Sequence, residues 1–240
     1  MSHPLDDHVG AYEGNSIYDV DNRIILNWYS RRILELTRGS SSLLELGLGH
    51  GFTTQVFQGH FGKHWVLEGS PAVIASYRER FPDSDAEIVE TYFEAFSAQD
   101  TFEVVVMGFV LEHVEDPIGV LRRYRDFLTP GGRVFAAVPN AETMNRRLGH
   151  YAGLLPDMSQ LSQNDLDLGH RRLFTKEGLA ADIRRAGGRV VRLEGIYLKP
   201  LTTAQLVSLD LGNDIYDGLC RLGVLYPELS CGLLAEVAFE

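Results

Sequence analysis

Cysteine is scarce in this chain of 240 residues, which holds only Cys220 and Cys231. No CxxC pair and no clustered Cys/His spacing surrounds them, so no metal site is expected. Two thiols without a disulfide framework fit a reducing compartment, and a cytoplasmic location is expected. The opening Met1-Ser2-His3-Pro4-Leu5-Asp6-Asp7 lacks the basic stretch and the apolar core of a secretory leader. No apolar run approaches the roughly 20 residues of a membrane-spanning helix, so no membrane partner is expected. Basic residues are also in deficit: 22 Lys and Arg face 33 Asp and Glu, for a net charge of -11. A phosphate backbone is held by clustered cations, so nucleic acid is not an expected partner either. Repeats and low-complexity tracts are absent. What remains is an ordinary globular composition, 45% hydrophobic and 23% charged, of a length that fits one domain over 1–240.

The hydrophobic pattern has an alternating rhythm. Ile24, Ile25, Trp28, Ile33 and Leu36 recur at helical spacing, so 1–38 reads as a polar lead-in followed by a helix. Apolar strands are then predicted at Leu43–Leu46, Trp65–Leu67, Ala86–Glu90, Phe102–Met107 and Arg133–Val138, with helices over Phe52–Phe61, Ala72–Phe81 and from Asp116-Pro117 to Leu128. The rhythm breaks at 140–172, which reads as an irregular insertion over one edge of the sheet. It resumes with a helix over Lys176–Ala186 and a strand over Arg189–Leu198. A second, helical insertion occupies 200–228, and the chain closes on a strand at Leu233–Phe239. Strands alternating with helices give an α/β fold in three layers, a mostly parallel sheet covered on both faces.

Three motifs carry chemistry. The first strand runs through Glu45 into Gly47-Leu48-Gly49-His50-Gly51, and a helix follows. Glycines there let the backbone bend sharply and a ligand approach closely, while the helix start presents unpaired N–H groups. The next strand ends in Glu68-Gly69, an acid placed to accept hydrogen bonds from ribose hydroxyls. The dinucleotide fingerprint has its third glycine where this chain has Phe52, and Glu45 beneath the turn would repel a pyrophosphate. A nucleoside cofactor other than a dinucleotide suits the turn better. The second motif, Gly108-Phe109-Val110-Leu111-Glu112-His113-Val114, follows the fourth strand at the edge where open α/β sheets bind ligands. The third is the helix end and turn Leu128-Thr129-Pro130-Gly131-Gly132.

Together these motifs resemble, in order and separation, the class I S-adenosylmethionine-dependent methyltransferases over roughly residues 40 to 140. The resemblance implies a Rossmann-like sheet of seven strands with an antiparallel last strand, and S-adenosylmethionine as cofactor with S-adenosylhomocysteine as product. It implies that Glu45, Gly47, Gly49 and Gly51 form or support the turn under the methionine part, and that Glu68 with Gly69 binds the ribose. Phe93 and Glu94 would flank the adenine, and Gly108 with Phe109 would lie near the cofactor's amino group. Tyr12, Tyr18 and Trp28 would belong to an N-terminal lid or pack against the side of the domain, with Tyr18 the better candidate for a cofactor contact.

Methyl transfer from a sulfonium needs alignment, exclusion of water and a deprotonated nucleophile. His113 is the candidate base, since imidazole titrates near neutrality; its alternative role is to position substrate. Arg146, Arg147, His150, His170, Arg171 and Arg172 cluster in or beside the first insertion, and Arg146, His170, Arg171 and Arg172 are candidate contacts to an anionic small substrate. The same cluster could instead pair with Asp157, Asp165 and Asp167. The insertions 140–172 and 200–228 would form a substrate cap. The leading expectation is O-methylation of a small molecule in biosynthesis. N-methylation, a nicotinamide-dependent oxidoreductase and a non-catalytic cofactor-binding module stand as alternatives, and the sequence leaves the oligomeric state open.

Overall fold

The computed structural model describes residues 17–240. Tyr12 and the rest of the polar lead-in up to residue 16 lie outside the described residues. The elements run α1 (Asp19–Leu36), β1 (Ser42–Leu46), α2 (Phe52–Phe57), β2 (Lys63–Glu68), α3 (Pro71–Arg80), β3 (Glu87–Glu90), β4 (Phe102–Gly108), α4 (Pro117–Tyr124) and β5 (Leu128–Pro139). They continue α5 (Met144–Tyr151), α6 (Gln163–Asp167), α7 (Lys176–Arg185), β6 (Gly188–Leu198), α8 (Thr203–Ser208), α9 (Asn213–Leu225) and β7 (Ser230–Phe239). The strands form one sheet of seven in the order β3-β2-β1-β4-β5-β7-β6. β7 runs antiparallel to both neighbours, and the pairings among β1 to β5 are parallel.

Both faces of the central strands are buried, which explains their unbroken apolar runs. Along β4, Val104 and Val106 face a cluster with Ile25, Tyr29 and Ile33 of α1. The alternate residues, Val105 and Met107, face a second cluster with Leu121 of α4 and Leu179 and Ile183 of α7. A smaller cluster seats Val73, Ile74 and Tyr77 of α3 on Val66. Trp28 is partly buried against the α1 cluster, as expected for a helix packed on the side of the sheet.

Local chemistry sets the element ends. Ser70 caps α3 through Val73 N–H, and Asp116 caps α4 through Gly119 N–H, each followed by proline at the first helical turn. Three boundaries differ from the sequence expectation. α2 stops at Phe57 instead of continuing to Phe61, because Gly59 turns left-handed at φ +73°. β5 begins at Leu128, since the Pro130-Gly131-Gly132 turn forms an irregularity in its pairing with β4 and does not precede the strand. The 140–172 segment contains two short helices, α5 and α6, neither with a buried residue. α5 carries Met144, Leu148 and Tyr151 at helical spacing but leaves them exposed, and α6 is too short to show a period; both starts are set by the Thr143 and Ser162 caps. Among the described residues no helix is long and apolar enough to cross a membrane.

Candidate active site

A cavity of about 1240 Å³ opens at the carboxyl ends of β1, β2, β4 and β5. This is the edge where an α/β sheet collects ligands, at the point where strand order reverses between β1 and β4. Drug-sized ligands occupy roughly 300–1,000 Å³, so the cavity has room for a nucleoside and a second molecule.

One end is built by the glycine turn. Gly47, Gly49 and Gly51 all adopt positive φ, at +83°, +47° and +75°, a region closed to most side chains. All three line the cavity. Gly51 has a second reason to be glycine: a Cβ there would sit 2.6 Å from the Tyr77 ring of α3. The turn is pinned by Glu68, whose carboxylate accepts Leu48 N–H at 3.0 Å and Ser70 N–H at 2.8 Å. Glu68, Gly69, Phe93 and Glu94 line the same end. Gly108 and Phe109 line the floor beyond β4. Phe109 is held at φ +57°, an unusual conformation for an aromatic residue, by its N–H bond to Ala137 O. At Gly108 a Cβ would fall 2.1 Å from the Tyr29 hydroxyl, so glycine there accommodates α1. Burial, then the charge of Glu45, pushes that tyrosine's pKa well above the phenol range.

Glu45 corrects the sequence expectation of a cofactor contact. It is 2% exposed, lies under the turn and does not line the cavity. Its carboxylate accepts from Thr53 Oγ1 at 2.6 Å and Thr54 Oγ1 at 2.9 Å, and lies 3.1 Å from His64 Nε2. The residue anchors the first turn of α2, leaving no lone pair directed at a ligand above it.

The other end is assembled from distant segments. After β4 the chain turns through Leu111, Glu112 and His113. Residues 170 to 174 run beside the end of β5, fixed by Arg171 N–H to Glu112 O at 2.9 Å and by reciprocal bonds joining Phe174 with Pro139 and Ala141. That return places the His170 ring 4.8 Å from the His113 ring, edge to face. Glu112 is 0% exposed, and neither of its oxygens has a hydrogen-bond partner from another residue among the described residues. Burial pushes its pKa up to about 7, partly offset by the nearby His170. Ligand atoms of Glu112, His113 and His170 all lie within 4.8 Å of one another, a grouping that could hold a metal ion. The expectation of no metal site rested on local spacing, and this cluster is joined across a long loop that spacing does not register.

The basic cluster of the first insertion is largely engaged. Arg146 lines the cavity, but its guanidinium donates to the carbonyls of Ala141, Met158 and Gln160. Its pKa is lowered, chiefly by burial. His170 and Arg171 also line the cavity. Arg171 pairs with Glu115 at 3.3 Å on the exposed rim. Arg172 does not line the cavity and donates to the Glu115 carbonyl at 3.2 Å, so its expected substrate contact is replaced by a loop tie. Arg147 pairs with Glu142, and His150 Nδ1 meets Leu155 O at 2.9 Å.

Tyr18, at the start of α1, lines the cavity mouth together with Asp21 and Asn22. Asp21 takes Lys199 Nζ and the Thr203 hydroxyl in a buried group that links α1 to the second insertion. Sequence reasoning missed Asp21, Lys199 and Glu112, whereas the pairing of Asp165 with His170 was one of its alternatives. For Glu112 a signal existed, an acid next to His113 in the motif after β4. Asp21 and Lys199 depend on contacts made across the fold.

Comparisons with known proteins agree with this geometry. A family profile described as a methyltransferase domain matches residues 22–193. A ubiquinone biosynthesis O-methyltransferase of Stutzerimonas stutzeri (strain A1501) is 25% identical over 198 residues, covering 79% of this chain and 81% of that one. A protein of the same name from Parvibaculum lavamentivorans is 31% identical over 118 residues, covering 48% of this chain and 44% of that one. Among solved structures, the N-methyltransferase NodS from Bradyrhizobium japonicum WM9, in complex with S-adenosyl-L-homocysteine, superposes with a TM-score of 0.60 at 14% identity, covering 97% and 96% of the two chains. The glycopeptide N-methyltransferase MtfA gives 0.58 at 17% identity, covering 88% and 89%. With its strand order, its glycine turn and this match over most of its length, the chain belongs to the methyltransferase-domain family, among the class I S-adenosylmethionine-dependent methyltransferases.

Proposed function

We propose that the chain transfers a methyl group from S-adenosylmethionine to a hydroxyl of a small, anionic molecule. The observation that carries this reading is a single cavity lined at one end by the glycine turn and Glu68, and at the other by His113, His170 and Arg171. The donor set fits a nucleoside at the first end. Glu68 lines the cavity and accepts two backbone amides, and a carboxylate at this position is of the kind that accepts ribose hydroxyls. Phe93 offers an apolar wall for an adenine, with Glu94 beside it. The backbone of Gly47, Gly49, Gly69, Gly108 and Phe109 lines the path of the methionine part, and Tyr18 closes the mouth above it. When bound, the cofactor supplies a methyl carbon already activated by a cationic sulfur.

At the second end, His113 receives the proton the acceptor hydroxyl loses as its oxygen takes the methyl group. Arg171, exposed and paired only loosely at the rim, is free to turn toward an anionic group. Arg146 and His170 shape the wall between. Oxygen as the acceptor atom is supported by the O-methyltransferase relatives, whose part in ubiquinone biosynthesis suggests a phenolic ring as the first acceptor class to try. Segments 140–172 and 200–228 act in this reading as the substrate cap, since α5, α6 and α8 all contribute lining residues. The experiment pairs isothermal titration of S-adenosylmethionine and S-adenosylhomocysteine with mass spectrometry after incubation with a methyl-labelled cofactor and a panel of hydroxylated acids and phenols. Micromolar cofactor binding and label on an acceptor oxygen are expected. No binding at sub-millimolar concentration, or binding of NAD instead, refutes the reading.

A further inference from the structure

We propose that Glu112, His113 and His170 form a binding site for one divalent transition-metal ion at the acceptor end of the cavity. The first observation is the grouping itself: one carboxylate and two imidazoles converge within 4.8 Å. The second is independent. Glu112 is fully buried, and neither of its oxygens has a partner from another residue among the described residues. A buried carboxylate left without donors is costly, and native proteins rarely tolerate one without cause. A cation bound between the three side chains removes that cost.

The surroundings of His170 point the same way. Ser162 donates from both its N–H and its hydroxyl to Asp165 in the capping box of α6. Asp165 in turn lies 3.0 Å from His170 Nδ1. An ionised Asp165 accepts, so Nδ1 carries the proton and Nε2 keeps its lone pair. A carboxylate behind an imidazole is the arrangement that orients metal-ligating histidines and raises their basicity. A short polar helix with no buried residue thus has a purpose: its cap sets the tautomer of a ligand.

The donor set selects the ion class. Two nitrogens and one carboxylate suit Zn²⁺, Co²⁺, Mn²⁺ or Fe²⁺, whereas Ca²⁺ and Mg²⁺ favour all-oxygen sets. Three protein ligands leave positions open for water or an acceptor oxygen, as in reactive zinc sites. Two ligands bound at about 2.1 Å each can be at most about 4.2 Å apart, so the cluster tightens by at least about half an ångström on binding. Its catalytic sense rests on the methyl-transfer reading: an acceptor hydroxyl held by the ion would lose its proton more readily to solvent water at the cavity mouth, its oxygen would take the methyl group, and His113 would serve as a ligand in place of a base.

The test uses the full chain, stripped with a chelator and dialysed. Zn²⁺ is titrated by calorimetry, and Co²⁺ is added as a spectroscopic probe, with S-adenosylhomocysteine titrated in parallel. One ion per chain is expected, with Glu112→Gln and His170→Ala each abolishing specific binding, and Asp165→Asn weakening it about 10- to 100-fold. Circular dichroism checks that each variant folds. In the unsubstituted protein, paramagnetic shifts of the His113 and His170 ring signals by Co²⁺ report the same ligands without any mutation. Absence of a stoichiometric ion, or Glu112→Gln binding Zn²⁺ as tightly as the parent, overturns the proposal. Nucleoside binding without metal binding rejects the site alone and leaves the methyltransferase reading standing; metal binding without nucleoside binding does the reverse.

Discussion

Glu45 and Glu112 are both buried carboxylates near the tips of the neighbouring strands β1 and β4, and they are built in opposite ways. Glu45 has Thr53, Thr54 and His64 around it. Glu112 has two oxygens without partners from other residues among the described residues. The contrast extends to the regions around them. The glycine-turn side is closed by contacts among successive elements, from β1 through α2 and β2 to α3. The acceptor side is put together from the loop after β4 and a segment returning from the first insertion. A fully satisfied buried acid is scaffold; one left open faces whatever the cavity is shaped to receive.

The largest expected difference between them is one of sign. Glu45→Ala should destabilise the fold by about 3–5 kcal/mol, because three buried polar groups lose their shared acceptor. Glu112→Gln, in chelator-treated protein, should be neutral or stabilising, since it replaces an unpartnered buried acid with a neutral isostere. Urea unfolding of the two variants measures both, and equal destabilisation would erase the contrast. Next in size, His113→Ala should lower turnover about 100-fold or more while cofactor affinity changes little. A parallel loss of cofactor affinity would move His113 to the other side of the comparison. Glu68→Ala should do the opposite, weakening S-adenosylhomocysteine about 10- to 100-fold by calorimetry through lost charged hydrogen bonds.

The smallest effect lies away from the cavity and serves as a control. Arg32 of α1 pairs with Glu194 of β6 through two bonds of 2.7 and 2.8 Å. Burial raises the Glu194 pKa, and the hydrogen bonds and charge of Arg32 outweigh it, leaving the carboxyl below its usual range. A depressed folded-state value contributes stability above the unfolded carboxyl pKa, and that contribution is lost as pH falls through the folded value. Arg32→Met should therefore cost about 1–2 kcal/mol at neutral pH, discounted for partial exposure, and less in acid. Thermal unfolding at pH 7 and pH 4 reads the difference.

The same division governs what could be read from the sequence. Strands β1, β2, β4 and β7 announce themselves because burial of their central residues on both faces demands apolar runs, and the edge strand β6 through its β-branched and apolar residues. The glycine turn, Glu68 and the loop after β4 are legible because their geometry is set by neighbours in the chain. Glu45 could be placed beneath the turn from the sequence, but whether it touches the ligand or only supports the turn is decided by Thr53 and Thr54 of α2, which the pattern does not reveal. Helix α6 was invisible because five residues are too few to show a period, and α5 because its three apolar residues Met144, Leu148 and Tyr151 sit in an otherwise polar stretch. The meeting of His170 with Glu112 was invisible because a hydrogen bond from Arg171 and the register of residues 170 to 174 against β5 bring it about.

The Asp21–Lys199–Thr203 group ties the first helix to a segment that precedes it in space yet follows it by most of the chain. A lysine ammonium and an aspartate, both largely buried, are costly to part unless solvent reaches them. Unfastening α1 and parting α8 from the cavity mouth are therefore a single event. Amide hydrogen exchange in the opening turns of the two helices should rise and fall together, and whatever admits a ligand past Tyr18 must draw on that shared clasp.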